Sequence, residues 1–277
     1  LNFGLPTRYS DFENFIQKYH PVEKRNLEEL YFTLDLANNS LWSDFENNLS
    51  FVDKDFICRC VNSKDDAESV YGFINESSKV VKGLFEKWVR SISCKVNTHY
   101  KNLIPGVFVI NFNYTLTLEE NFRVNDNQVY HIHGTTKDDI IFGHEQGMSI
   151  QKKPEYYDLD VEDFETYNVF EPAVINWLNK YLLETEKPTD QNIKKSQKFL
   201  ENKYNINFNN IEEIFIIGLS CSDADLPYLR WLTEKTNAKW YIGYYNNEKA
   251  ICENINKIPL NNYILKTNSE LIDRIFV

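Results

Sequence analysis

Three short apolar runs, each halted by polar or glycine-bearing residues, fall within Val107–Gly143 and constrain the fold more than any other stretch. Val107-Phe108-Val109-Ile110-Asn111-Phe112 has the length and β-branching of a buried strand, and Asn113-Tyr114-Thr115 follows at once. Val129-Tyr130-His131-Ile132 ends in His133-Gly134-Thr135, and Ile140-Ile141-Phe142 ends in Gly143-His144. Ligands of open α/β sheets bind in the crevice beyond the carboxyl ends of the strands. Asn113 and His133 fall at that kind of edge.

The order of elements around these runs predicts an α/β chain. Ser10-Asp11-Phe12-Glu13 is a capping-box pattern that opens a helix reaching Tyr19, with Phe12, Phe15, Ile16 and Tyr19 on one face and Pro21 as its stop. Leu27–Leu36 and a segment opening at Leu41, with Trp42, Phe45 and Leu49 on one side, are further helical candidates. Asp65–Cys94 carries Val70, Phe73, Ile74, Val81, Leu84, Phe85, Trp88 and Ile92 at three- and four-residue steps, interrupted by Gly72 and Gly83. Lys152-Lys153-Pro154 marks a loop. Helices are expected at Val169–Leu183, Asn192–Tyr204, Asp225–Lys235 and Ser269–Ile275. Strands are expected at Glu213–Gly218, Trp240–Tyr244 and Tyr263–Leu265. Alternation of this kind implies parallel pairing with helices on both faces. The expected organisation is one domain over residues 1–277, with a mainly helical insertion at 10–100 and an α/β core at 105–277.

A chain of 277 residues with 15 % aromatic side chains can bury a large core. Its net charge of −11 argues against duplex nucleic acid and against an anionic membrane surface as partners. No apolar run has the length of a transmembrane helix and no signal peptide is visible, and a cytoplasmic location is expected from cysteines that fit reduced cytosolic thiols. Five cysteines at irregular spacing fit reduced thiols, and Cys58-Arg59-Cys60 has no second pair, so no structural zinc is expected.

Three places could carry chemistry. Asn113 can orient a ribose hydroxyl, a carbonyl or a water, or it can satisfy loop backbone. His133 can take a proton from a hydroxyl, or it can be a buried ring bonded to backbone. His131, two residues earlier on the same strand face, could join it at a metal, but no carboxylate sits in ligand spacing. Gly218-Leu219-Ser220-Cys221-Ser222-Asp223-Ala224-Asp225 lies between a strand and a helix, where backbone N–H groups can hold a phosphate or hydroxyls. Asp223 or Asp225 could bond a ribose, or Asp225 could cap the helix. The segment lacks the Gly-x-Ser-x-Gly of a nucleophile elbow.

With these residues in place, the chain resembles the AbiH-like family, named for abortive infection by bacteriophage. Gly4-Leu5-Pro6-Thr7-Arg8-Tyr9-Ser10-Asp11-Phe12 is similar to its opening segment, and Trp42-Ser43-Asp44-Phe45-Glu46 to its Trp-x-Asp-Leu-Glu block. Phe112-Asn113-Tyr114-Thr115 and His131-Ile132-His133-Gly134 match its central motifs. Ile217-Gly218-Leu219-Ser220 with Asp223-Ala224-Asp225-Leu226-Pro227-Tyr228 matches its C-terminal motif. The joint order makes the resemblance specific. That family in turn looks like a distant relative of the sirtuins, whose Rossmann-like domain binds NAD. Gly4 and Pro6 are similar to the sirtuin cofactor loop, Asn113 to the Asn that contacts the nicotinamide ribose, and His133 to the catalytic His. Gly218 and Ser220 sit near the strand end that holds the adenosine half. Thr115 departs from the sirtuin Asp, and the Cys pairs of the sirtuin zinc module are missing, so a protein-deacylase reading lacks support. The family pattern places a strand and a Gly-Asn-Gly-Phe-Asp-like turn ahead of the position of Leu1, so the chain is expected to be a fragment lacking its first strand.

The resemblance therefore implies a Rossmann-like, mostly parallel sheet with a large helical insertion. It also implies an abortive-infection protein that binds NAD or a related nucleotide and hydrolyses its nicotinamide–ribose bond. Asn113 and His133 would be catalytic; Gly4, Pro6, Gly218, Ser220, Asp223 and Asp225 would bind the cofactor. The alternative is a nucleotide-sensing or partner-binding module without turnover. A metal-dependent nuclease ranks last, for want of a carboxylate cluster. The partners implied are a nucleotide, a phage-derived trigger and further copies of the chain. Asn113, His133 and Ser220 are expected to converge on one cleft, and a groove to lie open beside Val107–Phe112 or Ile214–Ile217.

Overall fold

The computed structural model describes residues 9–30, 45–52, 54–93, 102–122, 124–150, 170–260 and 262–277. In chain order these form α1 (Tyr9–Tyr19), α2 (Pro21–Leu30), α3 (Phe45–Asn48), α4 (Lys54–Cys60) and α5 (Lys64–Ser91). Next come β1 (Val109–Asn111), α6 (Thr117–Phe122), β2 (Val129–His131), α7 (Glu171–Thr185) and α8 (Thr189–Tyr204). The remainder is β3 (Glu213–Ile216), α9 (Leu226–Lys235), β4 (Lys239–Tyr244), α10 (Glu248–Ile255), β5 (Tyr263–Thr267) and α11 (Asn268–Ile275). The chain divides into two compact units. One contains Val89–Ile141 and Pro188–Val277; the other contains Pro6–Trp88 and Phe142–Lys187.

Among the described residues, all the strands lie in the first unit. β1 pairs with β2, and β3-β4-β5 form a second ladder; every pairing within both sheets is parallel. Side chains alternate between two faces, as the period of two requires. Ile110, Phe112, Tyr130, Ile132, Ile214, Ile216, Trp240 and Ile242 enter one apolar cluster with Tyr228, Leu229 and Trp231 of α9. Val109, Val129, Phe215 and Ile217 enter the other with Phe122, Ile275 and Phe276. The two sheets thus feed the same two layers. In the parallel pattern Val109 and Asn111 bond to β2, while the main-chain groups of Ile110 point the other way. Likewise Ile214 and Ile216 bond to β4, and the groups of Phe215 point away from it. Among the described residues neither of those outward edges has a ladder partner.

The second unit is helical and its interior is built of rings. Phe12 of α1 meets Phe45, Phe85 and Trp88 at centroid distances of 5.1, 5.4 and 5.1 Å, and Phe85 stacks on Phe142 at 3.9 Å. Helix α5 runs 28 residues through Gly72 and Gly83 without a break, and a side chain at either glycine would meet nothing within 4 Å. Its start is fixed by Ser63, whose Oγ accepts from the Asp66 N–H at 3.1 Å.

Local departures from expectation have local causes. Pro21 does not simply end α1; it is the first residue of α2, the one helical position where its missing N–H costs nothing. Helices α4 and α6 are too short for periodicity to reveal. Ile140–Phe142 form no strand. Instead the chain turns at Gly134, and the Ile141 N–H donates to the His133 carbonyl at 2.9 Å as an isolated bond. The expectations for Gly4, Pro6, Trp42, residues 31–36 and Lys152–Pro154 lie outside the described residues. No described helix is long and apolar enough to cross a membrane.

Candidate functional site at the carboxyl edge

Where β1 ends, the chain is pinned residue by residue. Asn111 is buried and its Oδ1 accepts from the Asn113 N–H at 3.0 Å. The Asn113 carbonyl accepts from His131 Nδ1 at 2.9 Å, which requires that nitrogen to carry the proton. The other ring nitrogen, Nε2, lies 2.6 Å from Oε1 of Glu119 on α6. The His131 and Glu119 side chains are 7 % and 15 % exposed. Both backbone groups of Asn113 are therefore held, while its side chain is exposed and has no hydrogen-bond partner among the described residues.

His133 is placed differently. It is 3 % exposed, and its ring packs edge-on to Phe112 at 5.4 Å and Tyr228 at 5.2 Å, with Tyr114 at 6.1 Å. Asn192 of α8 bridges this group. Its Nδ2 donates to the Ile132 carbonyl at 2.7 Å and to the Tyr228 hydroxyl at 3.0 Å. Gly134 has φ +80°, and a Cβ there would lie 1.9 Å from the Asp139 carbonyl oxygen. The loop it opens is further tied down by Arg90, which donates to the carbonyls of Thr136 and Asp138 at 2.6 and 3.1 Å.

The C-terminal motif is a polar turn after β3. The Gly218 N–H donates to Asn268 Oδ1 at 3.1 Å, so it is not free to hold a phosphate. Asp225 precedes α9 but makes no side-chain cap; its Oδ2 accepts from Ser220 Oγ at 3.4 Å and Ser222 Oγ at 3.2 Å. Asp223 is exposed and paired with Lys257 at 2.6 Å. Cys221 is fully buried in the left-handed region, φ +53°, and burial pushes its thiol up to about 12. Two carboxylates and two serine hydroxyls suit the hydroxyls of a sugar better than a pyrophosphate, whose charge they would repel.

Phe112, His133 and Tyr228 thus join the two central motifs to the C-terminal motif, and Asn113 lies at the same carboxyl edge through His131. Ser220 stays with Asp225 and with Asn254, whose Nδ2 donates to its carbonyl at 3.3 Å. Gly4 and Pro6 lie outside the described residues. Sequence reading missed Glu119, Asn192 and Tyr228. Tyr228 was within a quoted motif, and Asn192 with Ser196 makes a polar i, i+4 pair on the buried side of α8 that could have been singled out. Nothing in sequence spacing marks Glu119 as the partner of His131.

Neither a curated protein nor a solved structure matches this chain. A family model described as "Bacteriophage abortive infection AbiH" matches residues 1–244.

Proposed function

The chain belongs to the bacteriophage abortive infection AbiH family, and from that premise we propose that it acts in the cytoplasm of infected cells by binding NAD or a related nucleotide and hydrolysing the nicotinamide–ribose bond. The observation that carries this reading is the exposed Asn113 carboxamide, fixed by its backbone at the carboxyl edge of parallel strands, where α/β proteins place their ligands. The carboxamide has an acceptor and two donors and can engage the ribose and an incoming water together. In the reaction, water oxygen bonds to the anomeric carbon as the C–N bond breaks, the bonding pair returning to the pyridine nitrogen. The proton of the attacking water passes to solvent, while His133 is the base on a ribose hydroxyl, which helps stabilise the oxocarbenium-like state. The Ser220, Asp223 and Asp225 turn would take the hydroxyls of the adenosine half.

One observation favours the second reading, a binding module without turnover. His133 is packed among Phe112, Tyr114 and Tyr228, so base catalysis requires those rings to part. The discriminating measurement is the NAD content of infected cells that carry wild type or Asn113→Ala. Under the hydrolase reading, wild type lowers NAD and protects the population, and Asn113→Ala does neither. Protection by wild type with NAD unchanged would end that reading and leave the binding module.

A further inference from the structure

We infer that Glu119 and His131 are positioning residues for Asn113, holding the main chain that carries its carboxamide at the edge where it can meet a vicinal diol such as that of a ribose; the ligand class rests on the nucleotide reading above. The chain of contacts runs outward from the interior. Glu119 Oε1 fixes His131 Nε2 at 2.6 Å, and His131 Nδ1 fixes the Asn113 carbonyl at 2.9 Å. Asn111 Oδ1 fixes the Asn113 N–H at 3.0 Å. Three separate elements, β1, α6 and β2, thus meet on one residue whose side chain is exposed and unpartnered among the described residues.

Joining a loop to a neighbouring strand needs only backbone hydrogen bonds, and β1 and β2 already have them. Burying a carboxyl and an imidazole to make one further attachment is costly, because each must be desolvated. Glu119 Oε2 is buried with no hydrogen-bond partner among the described residues, so the pair is not fully satisfied there. Orientation of the residue at the end of the chain accounts for that cost. Fixing a group in its working geometry removes the ordering penalty from the binding step. His131, two residues before His133, is then the histidine that acts on the site through Asn113, without touching ligand.

The test uses His131→Leu, His131→Asn, Asn113→Ala and the double variant His131→Leu/Asn113→Ala. The Asn side chain keeps an N–H donor near the place of Nδ1, so it is the conservative rescue. NAD affinity is measured by calorimetry, and amide hydrogen exchange of residues 111–116 is followed in the free protein. Asn113→Ala and His131→Leu should each weaken NAD roughly tenfold, the worth of one or two neutral hydrogen bonds. The double variant should be no weaker than either single one, and His131→Asn should lie within about threefold of wild type. Additive losses in the double variant, roughly a hundredfold, would overturn the inference, since the two residues would then act separately. Should wild type bind no NAD, the nucleotide reading fails by itself, and hydrogen exchange decides the positioning. Faster exchange of the Asn113 and Tyr114 amides in His131→Leu, restored in His131→Asn, upholds it; unchanged exchange refutes it.

Discussion

Replacing His133 by alanine should destabilise the strand-bearing unit, whatever it does to activity. The ring is 3 % exposed and contacts three aromatic neighbours at 5.2–6.1 Å. Truncating it leaves a void walled by Phe112, Tyr114 and Tyr228. Large-to-small changes at such sites cost about 2–4 kcal/mol, toward the lower part of the aromatic range because imidazole is smaller than phenyl. For a unit of this size, that lowers the melting temperature by roughly 5–15 °C. Asn113→Ala, at an exposed side chain, should stay within about 0.5 kcal/mol of wild type. Thermal melts followed by near-UV circular dichroism, which reports on Tyr114 and Tyr228, separate the two variants. A His133→Ala protein that melts within a degree of wild type would refute the packing argument. His133→Ala therefore confounds lost packing with lost chemistry. His133→Phe, which keeps the packing and loses the nitrogens, is the variant that isolates chemistry.

In the helical unit, Lys187 is 1 % exposed with its Nζ 2.9 Å from Glu46 Oε2. Lys187→Met should cost about 3–5 kcal/mol in a denaturant titration, and Lys187→Met/Glu46→Leu should recover most of it; equal losses in both variants would argue against a charge-pair origin. At α11, Glu270 accepts from the Thr267 backbone N–H, from Lys266 Nζ and from the Thr267 hydroxyl, and these hold its carboxyl down at about 2. A folded value below the unfolded one means the stabilisation is present above the ordinary carboxylate range, about 4.3, and is lost as pH falls through about 2. Carboxyl NMR should show the midpoint near 2, and a midpoint at the ordinary value would refute the capping-box account.

The parts of the fold legible in the sequence were those with a long enough pattern. β3 and β4 are largely apolar runs because parallel strands are covered on both faces, and α5 and α7 repeat apolar residues over several turns. Ile140–Phe142 carries the same composition as a strand, yet its Ile141 N–H makes a single bond to the His133 carbonyl and never extends into a ladder. Local composition cannot distinguish those outcomes, since pairing depends on the route of the loop. The site was legible to a similar depth. Asn113 and His133 do stand at strand ends, because apolar runs that stop mark the carboxyl edge. Which of the two faces solvent was not legible, because it depends on Tyr228 and Asn192, supplied from more than fifty residues downstream.

Gly134 bears on how a motif of this kind is interpreted. With the Asp139 carbonyl lying against its Cα and φ in the left-handed region, any side chain at this position collides with the protein's own main chain. Selection would therefore hold a glycine after His133 in a catalytically silent descendant as firmly as in an active enzyme. The His-Gly pair records the path of a loop before it records a reaction. A survey of natural or laboratory variants finding Gly134 irreplaceable would be measuring that crossing. Under the nucleotide reading proposed above, a residue free to drift once activity is lost is the exposed Asn113, whose side chain meets no such collision.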